Sequence, residues 1–86
     1  MMSMKRKRLN SKNKLYLSSD AIVYINYSPV ARVLEVQFAG GDIYHYLQVE
    51  PEIWGDFKAV IQSGESAGGF VNKQIKEFYD FVKLDP

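Results

Sequence analysis

The stretch that decides the fold of this chain is Gly41-Asp42-Ile43-Tyr44-His45-Tyr46. Its glycine suits the end of a tight turn, and the residues that follow are β-branched and aromatic, which is typical of a strand. Successive side chains of a strand point to opposite faces, so Tyr44 and Tyr46 share a face. The sequence therefore predicts a strand that follows a turn and carries a pair of aromatic rings.

Two further strands are predicted before this turn. Residues 21–27 are mostly β-branched or aromatic, and the strand ends before Pro29 because proline has no amide to donate. Residues 32–38 alternate apolar and polar side chains, and Ala39-Gly40-Gly41 then supplies positions for a hairpin turn. Together the three strands form a predicted antiparallel meander.

The apolar spacing becomes helical after Glu50. Pro51 suits a first helical turn, and a helical stripe follows, made of Ile53, Trp54, Phe57, Val60 and Ile61. After Ser63-Gly64 a second stripe is made of Val71, Ile75, Phe78, Tyr79 and Val82. We predict an α+β fold in which a three-stranded antiparallel β-meander is followed by two α-helices packed on one face, in the order βββαα.

The charge is unevenly distributed along the 86 residues. The first fourteen residues carry six basic side chains and no acid, whereas the remainder carries five basic and ten acidic residues. We expect residues 1–14 to be a disordered basic arm that is dispensable for folding, and residues 15–86 to be one domain. A basic arm either binds nucleic acid or remains a solvated tail.

The composition argues against several classes of protein. There is no cysteine, His45 is the only histidine, and no apolar run approaches the length of a membrane helix. We therefore expect a cytoplasmic protein without a membrane segment, a metal site, a cofactor or catalytic residues. A lone histidine in a strand is more often structural than catalytic.

The orientation of Tyr44 and Tyr46 depends on the length of the preceding loop. A three-residue loop pairs Val36 with Tyr44 and Leu34 with Tyr46, which directs both tyrosines to the core. A loop of two or four residues directs them to the open face of the sheet instead. Both loops are common, and we favour the open or half-open face.

The ordered set of motifs resembles the KTSC domain, which also occurs at the C-terminus of some lysyl-tRNA synthetases and as small bacterial or phage-type proteins. The resemblance extends from about Ser18 to Tyr79, and Asn26 and Val71 depart from it. It rests on Ser18-Ser19, Ile22, Tyr27, Leu34-x-Val36-x-Phe38, Gly41, Tyr44-x-Tyr46, Val49 with Pro51, and Ser66-x-Gly68-x-Phe70-x-Asn72 with Ile75. The synthetase context of that family suggests RNA binding.

Three functions remain open from the sequence. The first is a module that binds RNA or another nucleic acid by stacking bases on Tyr44 and Tyr46 and by contacting phosphates with Arg32, Lys73, Lys76, Lys5, Arg6, Lys7 and Arg8. The second is a protein-interaction or dimerisation module that pairs through an exposed strand edge, with the strand that ends at Pro29 as the candidate. The third is binding of a nucleotide or small anion, as a sensor or sponge, at a turn formed by Ser66, Gly68, Gly69 and Asn72. That turn has a second explanation, in which Ser66 caps a helix and the glycines allow close packing.

Overall fold

A computed structural model describes residues 6–84 of the chain. Five strands and two helices follow a short 3-10 helix at Ser11–Asn13. The strands are β1 (Leu15–Tyr16), β2 (Ile22–Ser28), β3 (Val33–Phe38), β4 (Ile43–Tyr46) and β5 (Phe81–Lys83). Between β4 and β5 lie α1 (Pro51–Gln62) and the short α2 (Ala67–Phe70), which continues into a π-helical turn at Val71–Ile75.

The strands form one antiparallel sheet in the order β1-β2-β3-β4-β5. The three predicted strands are its centre, and the hairpin between β3 and β4 has the three-residue loop. The Phe38 amide donates to the Asp42 carbonyl at 2.9 Å, and Gly41 has a φ of 101°. This loop pairs Val36 with Tyr44 and Leu34 with Tyr46, so the expected open-face orientation of the tyrosines is wrong.

The two faces of the sheet have different partners. On one face the apolar side chains pack against α1 and the π-helical turn, and this core contains Ile25, Tyr27, Leu34, Val36, Tyr46, Trp54, Phe57, Val71 and Ile75. The predicted register of the first helix is confirmed, since Trp54 and Phe57 are buried. On the other face, strand alternation places Tyr24, Asn26, Glu35 and His45, and all four are buried as well.

The predicted second helix is shorter than its apolar stripe. Its regular part ends at Ile75, and Phe78 is 67% exposed while Val82 lies in β5. Pairing of β5 with β4 satisfies backbone groups that would otherwise lie at a bare sheet edge, and this tertiary gain exceeds local helix preference. The predicted three-strand meander with two packed helices therefore describes the fold only in part.

The exposed edges of the sheet are β1 and β5 rather than the strand that ends at Pro29. That strand, β2, lies between β1 and β3 and has no free edge along the paired residues. β1 contributes only Leu15 and Tyr16, which pair with Ile25 and Tyr24. Interaction with a partner through a strand edge stays a prediction, and the candidate edges are now β1 and β5.

Residues 6–14 of the predicted disordered arm make defined contacts with the sheet. They lie across the face of the sheet opposite the helices, and the Asn13 side-chain amide donates to the Tyr27 carbonyl at 3.0 Å. The prediction of disorder considered only apolar surface, of which this segment has little, whereas the contacts of residues 6–14 are hydrogen bonds to buried polar groups. We call residues 6–14 the N-terminal segment. Residues 1–5 of the predicted arm lie outside the described residues.

Candidate functional site

Tyr44 and Tyr46 are held by packing on the helix face. Tyr46 is 1% exposed, and burial raises its pKa to about 12. Tyr44 is half-buried and stacks on Phe81 of β5, with ring centroids 5.2 Å apart and planes 13° apart. Neither ring presents a free face of the kind that base stacking needs, so the predicted aromatic platform has no geometric support here.

A row of polar side chains crosses the opposite face of the sheet. Asn26 of β2 lies beside Glu35 of β3, and Glu35 lies beside His45 of β4. Their exposed fractions are 0%, 0% and 1%. Tyr24 joins them by donating its hydroxyl proton to Glu35 Oε1 at 2.9 Å. We call Asn26, Glu35 and His45 the polar row.

The N-terminal segment satisfies the outward-facing atoms of the polar row. Arg6 Nε donates to His45 Nδ1 at 3.0 Å, and the Leu9 amide donates to Glu35 Oε2 at 2.8 Å. The Asn26 side-chain amide donates to the carbonyl of Asn10 at 2.7 Å. Each residue of the row therefore has one partner in the segment, and no buried side-chain nitrogen or oxygen lacks a partner among residues 6–84.

The hydrogen bonds fix the protonation of the network. Because His45 Nδ1 accepts from Arg6, the ring proton is on Nε2, which donates to Glu35 Oε2 at 2.6 Å. Burial alone raises the pKa of Glu35, but hydrogen bonds from His45, the Leu9 amide and Tyr24 outweigh burial and lower that pKa below its ordinary value. Burial, followed by the hydrogen bond to Glu35, raises the pKa of Tyr24.

The N-terminal segment also creates a basic surface. Residues 6–14 carry five cations and no acid, namely Arg6, Lys7, Arg8, Lys12 and Lys14. Arg6 and Arg8 line one depression together with Lys83 of β5. Lys14 Nζ lies 4.3 Å from the ring centroid of Tyr24 and 5.7 Å from that of Tyr16. Tyr16 is 73% exposed, so it offers an open ring beside these cations.

The other predicted phosphate contacts are dispersed. Arg32 precedes β3, whereas Lys76 lies over the ring of Phe38 at the opposite end of that strand, with its Nζ 5.5 Å from the centroid. Lys73 and Lys76 belong to the helix side of the molecule. Of the predicted set, the structure brings together Arg6 and Arg8, which line one depression; Lys7 is exposed between them in sequence, and Lys5 lies outside the described residues.

The predicted anion-binding turn has the geometry of a helix cap. Ser66 Oγ accepts from the Gly69 amide at 2.9 Å. A Cβ added at Gly68 would lie 3.1 Å from the Cβ of Ala21, so this glycine allows close packing against the residue before β2. Asn72 is exposed in the following turn. Anion binding by Ser66, Gly68, Gly69 and Asn72 stays a prediction.

Comparison with known proteins identifies the family. The sequence pattern of the KTSC domain matches residues 18–79. The chain belongs to the KTSC domain family. The polar row lies inside the matched range of this KTSC domain, and the N-terminal segment that covers it lies before that range.

Similar proteins share most of the KTSC domain. A protein from Tsukamurella paurometabola is 37% identical over 68 residues, which are 79% of this chain and 96% of that protein. An uncharacterised protein from Stutzerimonas stutzeri is 29% identical over 84% of this chain and 97% of its own length. The crystal structure of a KTSC domain protein from Yersinia pestis superposes with a TM-score of 0.73 at 31% identity, covering 85% of this chain and 97% of that one.

Two features of the site were not predicted from the sequence of this KTSC domain. The polar row was missed, although Glu35 and His45 occupy alternating positions of adjacent predicted strands and the correct hairpin loop would have paired them. Tyr16 was missed because β1 has only two residues, although Lys14 and Tyr16 are spaced to share one side of a strand. Within residues 6–84, no helix has the length and apolar character needed to cross a membrane.

Proposed function

We propose that this KTSC domain is a non-catalytic, cytoplasmic module that binds single-stranded nucleic acid, with RNA as the natural ligand. Phosphates contact the cations of the N-terminal segment, and a base stacks on Tyr16. The observation that carries the proposal is the course of this segment across the sheet, in which Arg6 and Arg8 line one depression with Lys83 and Lys14 lies beside the exposed ring of Tyr16. A fixed basic surface loses less conformational entropy on binding than a free tail does.

The distribution of charge supports the approach of a polyanion to the face that carries the N-terminal segment. Residues 15–84 carry five basic and nine acidic side chains, so their net charge with neutral histidine is 5 − 9 = −4. Residues 50–77, which contain the helices across the sheet from the N-terminal segment, carry three basic and five acidic side chains, so their net charge is 3 − 5 = −2. The opposite faces of the domain therefore differ in sign, and a polyanion approaches the basic face.

A single-stranded ligand fits better than a duplex. The stacking surface is one exposed ring on an edge strand, with the buried ring of Tyr24 5.8 Å away on its inner side, and only an unpaired base can place its face against it. Strand β1 contributes no bulky neighbour beyond Leu15, so the ring is accessible from the edge. Base stacking on an aromatic side chain is tolerant of sequence, which suits a module with few groups for reading base edges.

The proposal is tested by the anisotropy of a labelled oligouridine at several salt concentrations. Each phosphate contact contributes a slope of about 0.7 in the logarithm of affinity against the logarithm of salt. Tyr16→Ala is expected to weaken binding by about 1–3 kcal/mol and to keep the slope, because stacking is not ionic. Lys12→Ala is expected to weaken binding less and to reduce the slope by about 0.7.

Phe78→Ala is the matched control, because Phe78 is similarly exposed but lies in the turn before β5. It is expected to leave the affinity unchanged. Equal effects of Tyr16→Ala and Phe78→Ala, or the absence of binding at low salt, would contradict the proposal.

A further inference from the structure

The contacts between the N-terminal segment and the polar row have the form of peptide recognition. Two of the three hydrogen bonds use backbone atoms of the segment, the Leu9 amide and the Asn10 carbonyl. Any extended chain offers these two groups in the same relation. The third contact uses the side chain of Arg6 and so requires a particular residue. Backbone contacts that provide affinity, with a side-chain contact that provides specificity, are the usual basis of peptide binding.

The spacing agrees with an extended peptide that crosses the sheet. Arg6 contacts β4, Leu9 contacts β3 and Asn10 contacts β2. Adjacent strands are about 4.8 Å apart, so the span from β4 to β2 is about 10 Å. Four residues of extended chain cover up to about 13–14 Å, which is sufficient with a small bend.

The chemistry of the row selects a basic ligand. Glu35 supplies a buried carboxylate, and the ring nitrogen of His45 that faces the segment accepts a hydrogen bond. An acidic side chain at the position of Arg6 would place two acceptors against each other. Arginine donates without accepting, and it keeps its charge at any physiological pH.

We propose that the polar row is a binding site for an extended, arginine-containing peptide, and that Arg6 to Asn10 occupy it as an internal ligand. A peptide of the same chemistry from another chain binds by displacing this segment. The row lies within residues 18–79, the range matched by the family pattern, and the segment lies before that range, so the site and its occupant come from different parts of the chain. This inference does not require nucleic-acid binding, because it concerns the groups beneath the segment.

The tethered segment sets the expected affinity in the intact chain. A short tether gives an effective concentration of about 1 mM, so a free peptide competes poorly with it. Weakening the internal contact should therefore strengthen the binding of an added peptide. The direction of this change is not sufficient evidence, because loss of a cation from the protein also favours binding of a basic peptide through charge alone. A control must therefore separate the two effects.

The probe is a fluorescein-labelled synthetic peptide with the sequence of residues 6–14, titrated by anisotropy into the full chain and its variants. Arg6→Ala is expected to bind the peptide at least tenfold more tightly than the unmodified chain. Lys73→Ala removes the same charge from an exposed position on the helix side and is expected to bind like the unmodified chain. A second peptide, with alanine in place of the arginine at position 6, is expected to lose the gain seen with Arg6→Ala.

A measurement on the unmodified chain gives an independent answer. The Leu9 amide donates to Glu35, so we expect its hydrogen exchange to be slow in the free protein and to become faster when excess peptide releases the segment. Equal peptide affinity of Arg6→Ala and Lys73→Ala, or a Leu9 exchange rate that does not respond to peptide, would overturn the proposal. Tight binding of the alanine peptide would also overturn it, because the interaction would then be general charge attraction.

Discussion

Glu35 links the sheet to the N-terminal segment, because its carboxylate accepts hydrogen bonds from three different parts of the chain. Oε1 accepts from Tyr24 of β2, and Oε2 accepts from His45 of β4 and from the amide of Leu9. A buried carboxylate costs free energy unless its oxygens have such partners. The same partners make the ionised form of Glu35 more stable in the folded protein than in the unfolded chain.

This arrangement predicts the pH dependence of stability. The folded-state pKa of Glu35 is lowered from 4.5, so its contribution is complete above about pH 4.5 and is lost as pH falls through the lower folded-state pKa. The unfolded state binds more protons than the folded state in this range, so the free energy of unfolding decreases as the pH is lowered. Thermal unfolding followed by circular dichroism from neutral to acidic pH is expected to show a falling midpoint below about pH 4.5.

Glu35→Gln tests the assignment of this acid sensitivity. The variant is expected to be less stable at neutral pH by about 1–3 kcal/mol, because its amide places donors against donors. Its midpoint should then fall less steeply with acid than that of the unmodified chain. Glu77→Gln, at an exposed position, is the control and should retain the original slope. Identical acid profiles for Glu35→Gln and the unmodified chain would show that another group titrates.

At the scale of elements, the N-terminal segment covers one face of the sheet, and the helices cover the other face. The helix face is covered by apolar contacts, whereas the segment covers buried polar atoms through hydrogen bonds. The N-terminal segment has little apolar area. Its contribution to stability therefore depends on the polar atoms of the row, which lose their hydrogen-bond partners when the segment is removed. This differs from the sequence expectation that residues 1–14 are dispensable.

Removal of residues 1–10 is therefore expected to destabilise the domain. Three hydrogen bonds to the polar row are lost, and water replaces them in part, so we expect a loss of about 1–3 kcal/mol. For a domain of this size each kcal/mol lowers the thermal midpoint by about 4–8 °C. Calorimetry of the truncated and full chains measures this difference.

A double-mutant cycle assigns the loss to the polar row. Glu35→Gln should cost less in the truncated chain than in the full chain, because one of its partners is already absent. If the stability costs of truncation and of Glu35→Gln are additive, or if truncation leaves the thermal midpoint unchanged, the segment does not stabilise the domain through Glu35.

At the scale of the whole molecule, stability depends on the single core between the sheet and the helices. Trp54 of α1 stacks on Tyr27 of β2, with ring centroids 5.5 Å apart and planes 13° apart. Tyr27 in turn donates its hydroxyl proton to the Val49 carbonyl at 2.6 Å. This contact joins the helix layer to the sheet and to the loop between β4 and α1.

Trp54→Ala is expected to cost about 3–5 kcal/mol, as for other large aromatic side chains in a core. A domain with about 5–15 kcal/mol of stability is then close to unfolding at ambient temperature. Urea unfolding followed by circular dichroism measures the loss, because the variant lacks the only tryptophan. Phe78→Ala, at an exposed ring, should change stability by less than about 0.5 kcal/mol. Similar midpoints for the two variants would place Trp54 outside the core.

Local patterns determined the central part of this protein. The alternation in β3, the glycine turn before β4 and the stripe of α1 each depend on neighbours within about ten residues along the chain, so their sequence periods were sufficient to predict them. The family was also determined at this level, because its motifs are an ordered series along the chain. Trp54 and Phe57 were placed correctly in the core for the same reason.

Only the tertiary structure decided the edges of the sheet and the contents of its polar face. One residue more or less in the loop after Phe38 reverses the faces of β4, and local preference does not distinguish those loops. The helical spacing of apolar residues continues as far as Val82, but this residue lies in strand β5, because pairing with β4 outweighs the local preference for a helix. The N-terminal segment has no apolar period, and its position depends on Glu35 and His45, which are distant in sequence and meet only when β3 and β4 pair.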